Sequence, residues 1–287
     1  MIDGLLVIDK PAGITSHDVV DRVRRALKTR RVGHGGTLDP DATGVLVIGV
    51  GRATRLLSYA QAGAKRYRAG TRFGITTSTQ DASGVVVSTS EGRVTEDQVR
   101  AALDNFAGAI EQIPPMVSAV KVGGERLYAK ARRGEDIDRE PRKVFVHKLD
   151  LVSFDALEQR AELDVTCSGG TYIRTLVHDL GTRLGVGAHL TNLRRVAAGG
   201  FDVTQAIDID DVSRDALRPL VDAIGDLPRI EVGPEHAEDV AHGRRLPVEL
   251  APEVPENAEV AVVFGGDLLA IYRRAADALV ADRVIPR

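Results

Sequence analysis

Two segments in which polar and apolar residues alternate constrain the fold more than any other feature of the sequence. In residues 65–73, every second residue from Tyr67 to Phe73 would share one face of a β-strand, with arginines on the other face. Residues 161–167 alternate in the same way. Helical patterns separate such strands without a regular βαβ repeat. We therefore expect an α+β fold with a mixed, largely antiparallel sheet flanked by helices.

The composition is typical of a folded protein without a membrane segment. Of the 287 residues, 43% are hydrophobic and 28% are charged, as in ordinary globular domains. No apolar run approaches the roughly 20 residues that a membrane helix needs, and the N-terminus lacks the features of a signal peptide. The single cysteine excludes an internal disulfide. We therefore expect a cytoplasmic protein that does not contact the membrane.

Charge is distributed unevenly along the chain. The formal net charge is −3, and acidic residues are concentrated between 231 and 260. Basic residues form two clusters, at 24–31 and at 121–143. Such clusters can bind a phosphate backbone even when the whole chain is acidic. The alternative interpretation is a solvated helix face.

A change in composition near residue 228 predicts a domain boundary. Beyond it, two apolar runs flank Gly265-Gly266-Asp267 and are typical of a hairpin in a small β-rich unit. The stretch from about 117 to 141 is polar and basic with few core positions, which indicates an insertion that protrudes from the body. The expected domains are therefore 1–228, which carries the insertion, and 229–287.

Residues 33–46 are the strongest candidate for a functional site. Four glycines surround His34 and Asp39 and permit close approach of a ligand to the backbone. Pro40 restricts Asp39 to extended geometry, so its carboxylate is not absorbed into a helical turn. On residue chemistry alone, an Asp-Pro turn that caps a helix fits this segment equally well.

Several other motifs can be excluded. Residues 49–54 begin like a dinucleotide-binding fingerprint, but the third glycine and the acidic residue are missing. The seven histidines show no pair at metal-ligand spacing. Cys167 has the inward parity of its strand, as a buried apolar cysteine would. We expect no metal and no cofactor.

The glycine-rich segment resembles motif II of the bacterial tRNA pseudouridine-55 synthases, the TruB family. Further segments match in the family's order, namely 6–13, 65–67, 170–175, 187–190 and 193–195. Gly169 departs from the pattern, since many relatives have a lysine there. The resemblance implies a pseudouridine-synthase fold in residues 1–228 and a PUA-like RNA-binding domain in 229–287.

The resemblance also implies three catalytic residues. Asp39 would be the carboxylate that adds to the uridine, at the base or at the sugar C1′. Arg174 would pair with Asp39 and favour its ionised form. Tyr67 would stack on the base, and its hydroxyl would take the C5 proton. Without the resemblance, Arg174 fits a surface helix arginine and Tyr67 fits a core tyrosine.

Further residues would bind the RNA. Tyr172 and Leu193 would line the uracil pocket, His34 would contact RNA beside the flipped base, and Lys10 and Pro11 would also bind substrate. Contacts to the RNA backbone are expected from the basic clusters, at Arg30, Arg31, Lys121, Arg126, Arg132 and Arg133. The implied partner is the T-arm of tRNA, bound by a monomer.

Two other functions were weighed against this one. A non-catalytic tRNA-binding or tRNA-folding protein could use the same fold, but the joint presence of Asp39, Tyr67 and Arg174 favours catalysis. A uridine C5-methyltransferase would need a loop cysteine and a methyl-donor site, whereas Cys167 lies in a strand. We therefore predict an isomerase that converts the T-loop uridine of tRNA, uridine-55, to pseudouridine.

Overall fold

The structure is a computed structural model that describes residues 2–116, 121–122, 125–126 and 137–286. Its α-helices, α1 to α5 in chain order, are Ser16–Leu27, Leu57–Ala60, Glu96–Leu103, Ile173–Arg183 and Pro234–Ala241. Short 3-10 helices lie at Gly51–Leu56, Asp104–Phe106, Val203–Gln205, Ile209–Asp211, Leu220–Ile224 and Val248–Leu250. Within the described residues, no helix is long and apolar enough to span a bilayer.

The strands are numbered β1 to β18 in chain order. The first nine are Gly4–Lys10, Val32–Gly35, Thr43–Val50, Lys65–Phe73, Ile75–Thr77, Val86–Thr89, Gly108–Gln112, Lys121–Val122 and Glu125–Arg126. The other nine are Arg142–Asp155, Arg160–Cys167, Ala188–Ala198, Phe201–Asp202, Arg229–Glu231, Leu246–Pro247, Glu259–Phe264, Asp267–Arg274 and Ala278–Val284.

Among the described residues, nine strands form the main sheet. Its principal order is β1-β3-β12-β4-β11-β10-β7, with β2 paired to β3 and β13 paired to β12. The β3–β12 pair is parallel, and the other pairs are antiparallel. The expectation of a mixed, largely antiparallel sheet in an α+β fold is confirmed.

Strand β4 shows why the alternating pattern was informative. Tyr67 and Phe73 point into the main apolar core and are 7% and 2% exposed. The arginines on the opposite face, Arg66, Arg68 and Arg72, form ion pairs with carboxylates of β11 and of the turn before it. The period-two pattern therefore separates a core face from a charged outer face.

Two helix starts carry residues to one side of the main sheet. Helix α1 begins after Thr15, whose hydroxyl accepts a hydrogen bond from the Asp18 amide, while the Asp18 carboxylate accepts one from the Thr15 amide. This capping box satisfies two amides that a helix start otherwise leaves unpaired. Helix α4 begins at Ile173 and places Arg174 in its first turn. Both helix starts border the cleft described below.

The C-terminal strands form a second sheet in the order β14-β16-β17-β18-β15. Its own core includes Val240 and Tyr272. Its opposite face packs on the main sheet, since Leu268 and Ile271 belong to one apolar cluster with Leu5 of β1. The sheet begins at Arg229, next to the expected boundary, but the independence of the two domains stays a prediction. Most of the predicted insertion at 117–141 lies outside the described residues.

Candidate active site

A cleft of about 710 Å³ opens beside the start of α1. Four segments and three single residues line it, namely 15–17, 37–42, 79, 81–83 and 190–193 together with His34 and Arg174. Glycine-rich residues 33–46, which the sequence singled out, therefore form one wall. The hairpin of β5 and β6 supplies residues 79–83 on another wall.

Several polar contacts fix the loop that carries Asp39. Ser16 is buried, and its hydroxyl accepts from the Leu38 amide at 2.9 Å and donates to the Leu38 carbonyl at 3.1 Å. The Pro40 carbonyl, on the other side of Asp39, accepts hydrogen bonds from the Gly13 amide at 3.0 Å and from Lys10 Nζ at 2.8 Å. With Leu38 and Pro40 both held, the Asp39 side chain between them borders the cleft.

Arg174 binds Asp39 at two points. Arg174 Nε lies 3.0 Å from Asp39 Oδ2, and its Nη2 donates to Asp39 Oδ1 at 3.1 Å. Arg174 Nη1 lies 3.5 Å from Asp81 Oδ2 and donates to the Thr79 carbonyl at 3.2 Å. The Arg174 side chain is only 5% exposed. A two-point contact fixes the orientation of a carboxylate as well as its position, so the expected pairing of Arg174 with Asp39 is present.

The electrostatic environment of Asp39 contains opposing influences. Burial in the cleft raises the pKa of Asp39, the Arg174 guanidinium opposes that rise, and the negative charge of Asp81 adds to it. The net direction is upward from the ordinary value of 3.8. A carboxylate in this state is less well solvated than a surface aspartate, which makes it more reactive as a nucleophile once it is ionised.

Tyr67 is close to this site but is covered. Its ring belongs to the same core cluster as Leu38 and Ala42 of the Asp39 loop, and it is not among the residues that line the cleft. Burial raises the pKa of Tyr67, and the Arg195 guanidinium opposes the rise. The hydroxyl is therefore protonated at neutral pH, so it can accept a proton only if it also gives its own away.

The other residues expected to bind substrate fall into two groups. His34 and Leu193 line the cleft. His34 lies in strand β2, opposite Ile48. Tyr172 caps α4, with its backbone amide and carbonyl held by the Gln112 side chain at 2.9 and 3.1 Å, and it lies outside the lining.

Lys10 and Pro11 also lie outside the cleft lining. Lys10 is 0% exposed, and its ammonium donates to the carbonyls of Pro11, Ile14 and Pro40 at 2.7 to 2.8 Å. Burial lowers the pKa of Lys10 to about 8. Because all three donors are used, this side chain supports the Asp39 loop from behind. Pro11 is exposed at the surface beside it.

Arg30 and Arg31, which were expected to contact the RNA backbone, are not among the residues that line the cleft. Arg30 and Arg31 are exposed ahead of β2, and Arg31 donates to Thr54 Oγ1 at 3.1 Å. Lys121 and Arg126 lie opposite each other in the hairpin of β8 and β9. Arg132 and Arg133 lie outside the described residues.

Three residues of this region were missed by the sequence analysis. Asp81 lies in a polar turn with no pattern around it, so only the fold reveals that it faces Arg174. Ser16 follows the capping residue, where a serine is unremarkable. Arg195 is 1% exposed although it stands in a pair of arginines, and strand parity was the only signal for its burial.

Over the part of the chain that is described, no three His, Cys, Asp or Glu side chains are grouped so as to hold a metal ion. Asp39 and Asp81 are close together, but the guanidinium of Arg174 occupies the position between them. The arrangement therefore provides an oriented carboxylate at the edge of a cleft.

The fold matches that of Cbf5 proteins in solved complexes. The structure of a Cbf5-Nop10-Gar1 complex superposes with a TM-score of 0.76 at 27% identity, covering 99% of this chain and 85% of that one. The archaeal box H/ACA sRNP Nop10-Cbf5 complex gives 0.72 at 26%, covering 99% and 86%. The architecture is thus that of the pseudouridine-synthase class of protein.

Sequence comparison narrows the class to one family. The model of the TruB family pseudouridylate synthase N-terminal domain matches residues 24–173, and that of the tRNA pseudouridylate synthase B C-terminal domain matches 174–222. Proteins named tRNA pseudouridine synthase B are 50% identical in Symbiobacterium thermophilum, over 84% of this chain and 82% of that protein, and 45% identical in Cutibacterium acnes, over 94% and 92%. The chain belongs to the TruB family.

Proposed function

We propose that this protein isomerises the T-loop uridine of tRNA, uridine-55, to pseudouridine. The observation that carries the proposal is the Asp39 carboxylate, held at two points by a buried arginine and open to a cleft. Relatives of 41–50% identity that bear the name tRNA pseudouridine synthase B support tRNA as the substrate.

The reaction exchanges one bond to the sugar for another. The bond between C1′ and N1 breaks, a bond between C1′ and C5 forms, the C5 proton leaves, and N1 gains a proton. Asp39 adds to the uridine, at the base or at C1′, and leaves again before the product is released. Since no electron or group enters from outside, the proposal needs no cofactor.

The target base must leave the RNA stack before it reaches Asp39. Unstacking costs a few kcal/mol, which contacts in the pocket offset. Leu193 and His34 line the cleft where the base would enter. Tyr67 and Tyr172 are assigned to stacking and to the pocket wall, and this role requires that their rings become accessible when RNA binds. Lys10 is assigned to support of the Asp39 loop.

The remaining assignments concern the RNA outside the cleft. Residues 1–228 form the catalytic domain, and residues 229–287 form a PUA-like domain that contacts RNA. Exposed Arg30 and Arg31 are assigned to the phosphate backbone of the T-arm, as are the basic residues of the insertion. We also propose that the protein acts as a monomer, in the cytoplasm where its tRNA substrate is found.

The test uses tRNA labelled with tritium at uridine C5. The purified protein, without any added cofactor, is expected to release tritium to water and to leave pseudouridine in the digested RNA. Binding without tritium release contradicts the proposal and indicates a non-catalytic tRNA-binding protein. Tritium release that yields 5-methyluridine on addition of a methyl donor contradicts it in favour of a methyltransferase.

A further inference from the structure

A guanidinium is buried beneath the loop that carries Asp39. Arg195 lies in β12 and is 1% exposed. Its Nε donates to the Val45 carbonyl at 2.7 Å, and its Nη2 donates to the Gly36 carbonyl at 3.2 Å. Gly36 precedes Asp39 in the chain and Val45 follows it. One side chain therefore joins the two ends of the catalytic loop.

Strand register brings the same residue to Tyr67. In the antiparallel pair of β12 and β4, Arg195 lies directly opposite Tyr67. Residues directly opposite in an antiparallel pair have their side chains on the same face and in contact. Burial raises the pKa of Tyr67, and the Arg195 guanidinium beside it opposes that rise. Arg195 is thus within reach of both the Asp39 loop and the phenol.

The parallel pairing on the other side of β12 is unusually close. Arg195 lies opposite Gly44 of β3, and a Cβ on Gly44 would overlap the Arg195 carbonyl oxygen. Gly44 has a φ of +101°, which also favours glycine. This contact fixes the distance between β12 and the end of the Asp39 loop. A displacement of Arg195 would therefore move that loop.

The burial of Arg195 is costly for the fold. Among the described residues, no carboxylate forms an ion pair with it, and its guanidinium donates to the Val45 and Gly36 carbonyls. A buried charge without an opposite charge is destabilising. An apolar side chain of similar size would avoid that cost, but it could not donate to two loop carbonyls and also face a hydroxyl.

We propose that Arg195 is a positioning residue that holds the Asp39 loop and the Tyr67 hydroxyl in one arrangement, so that both act on the same uridine. Its guanidinium donates to loop carbonyls, and Arg195 is not among the residues that line the cleft, so its role is to position other groups. The inference rests on the proposed function. It adds a connection between a loop residue, Asp39, and a strand residue, Tyr67.

The first experiment compares Arg195→Lys with Arg194→Lys. Lysine keeps the charge but lacks the planar fork that serves several acceptors. For Arg195→Lys we expect kcat to fall about tenfold or more, with the tRNA dissociation constant within about threefold. Arg194 points to the other face of β12 and pairs with Asp9 at 2.6 and 3.0 Å. Its lysine variant is the matched control, with kcat expected within about twofold of the parent.

The deciding measurement is a double-mutant cycle with Tyr67→Phe, run as single turnovers with protein in excess. If Arg195 also acts through the Tyr67 hydroxyl, the loss caused by Arg195→Lys is at least about threefold smaller once that hydroxyl is gone, and the loss that remains reports its hold on the Asp39 loop. Equal losses in both backgrounds would overturn the inference, because an independent structural defect gives additive effects. If the lysine variant does not fold, as judged by its thermal unfolding, Arg195→Gln enters the same cycle.

The outcomes also separate this inference from the function it rests on. A parent protein that forms no pseudouridine contradicts the proposed function. An active parent with additive losses in the cycle contradicts only the role of Arg195. The connection is supported if Arg195→Lys lowers kcat more than Arg194→Lys does, and if the double-mutant cycle gives the predicted result.

Discussion

Two aspartates of the main domain are paired with arginines, and their pKa values move in opposite directions. Asp164, on the outer face of the sheet, accepts from Arg66 at 2.9 and 2.5 Å and lies 3.2 Å from Arg68. The hydrogen bond from Arg66 is the main reason why its pKa is lowered. For Asp39 burial outweighs the arginine, and its pKa is raised.

From the exposed fraction of the side chains alone, Asp39 would be expected to be the better solvated of the two aspartates. The Asp39 side chain is 42% exposed and that of Asp164 is 8% exposed. The arginine side chains that pair with Asp164 are themselves one-third to one-half exposed, so water reaches the ion pairs. Asp39 is reachable by water but is surrounded by the walls of a cleft. The surrounding protein therefore governs the pKa, and a reachable carboxylate can still be poorly solvated.

The largest difference between the two aspartates is expected in turnover. Asp39→Asn should abolish pseudouridine formation and leave tRNA affinity within about tenfold, because an amide has nearly the same shape but is not an anionic nucleophile. Asp164→Asn is the matched control and should retain the parental rate. Product formation by Asp39→Asn above about a hundredth of the parental rate would contradict the role of Asp39.

A smaller but still large effect is expected at Tyr67. Tyr67→Phe keeps the ring and removes only the hydroxyl, so RNA should bind while C5 tritium release falls by about a hundredfold. Because burial raises the pKa of Tyr67, a hydroxyl in this position takes part only through a relayed proton. Normal tritium release by the variant would leave only a stacking role for this residue.

The pH dependence of turnover sharpens the comparison. The acidic limb of the kcat/KM profile should reflect ionisation of Asp39, whose pKa is raised above the ordinary value of 3.8. Asp81 raises that pKa, so Asp81→Asn should move the limb to lower pH while reducing neutral-pH turnover by about tenfold. Asp164→Asn should leave the limb in place. A limb that stays or moves to higher pH in Asp81→Asn would show that Asp81 does not act on Asp39.

The smallest effect concerns stability on the outer face. The pKa of Asp164 is lowered, so its contribution is present above 3.8 and is lost as the pH falls through the lower pKa of the folded state. Asp164→Asn should cost about 1 kcal/mol of unfolding free energy at pH 7, since its arginine partners are largely solvated. Urea unfolding at pH 7 and at a pH below the lowered folded-state pKa of Asp164 measures this, and a cost that persists at the lower pH would exclude the ion pair as its source.

The sequence predicted those parts of the fold that have a local pattern. The alternation in 65–73 predicted β4 and the face of it that is buried. Asp39 and Arg174 were identified through a motif resemblance, although 135 residues separate them. Local patterns report which face of an element is apolar, and these residues stand at element ends where such patterns begin or stop.

Other features depended on register and tertiary contact. Arg194 and Arg195 are neighbours of the same residue type, yet one pairs with Asp9 and the other is buried, because adjacent residues of a strand point to opposite faces and only the pairing of β12 shows which face is the core. Lys10 was expected to bind substrate, but its ammonium donates hydrogen bonds to three carbonyls, those of Pro11, Ile14 and Pro40. His34 lies in strand β2, where the glycines on either side of it also pair with residues of β3.

The most direct test of the account is the site of product in tRNA. Purified protein is incubated without cofactor with two transcripts, one with the T-loop uridine and one with cytidine in its place, and pseudouridine is mapped along the RNA. The account predicts pseudouridine at uridine-55 in the first transcript, none in the second, and none in either with Asp39→Asn. Pseudouridine at that position with Asp39→Asn at the parental rate, or tritium exchange without any pseudouridine, would contradict it.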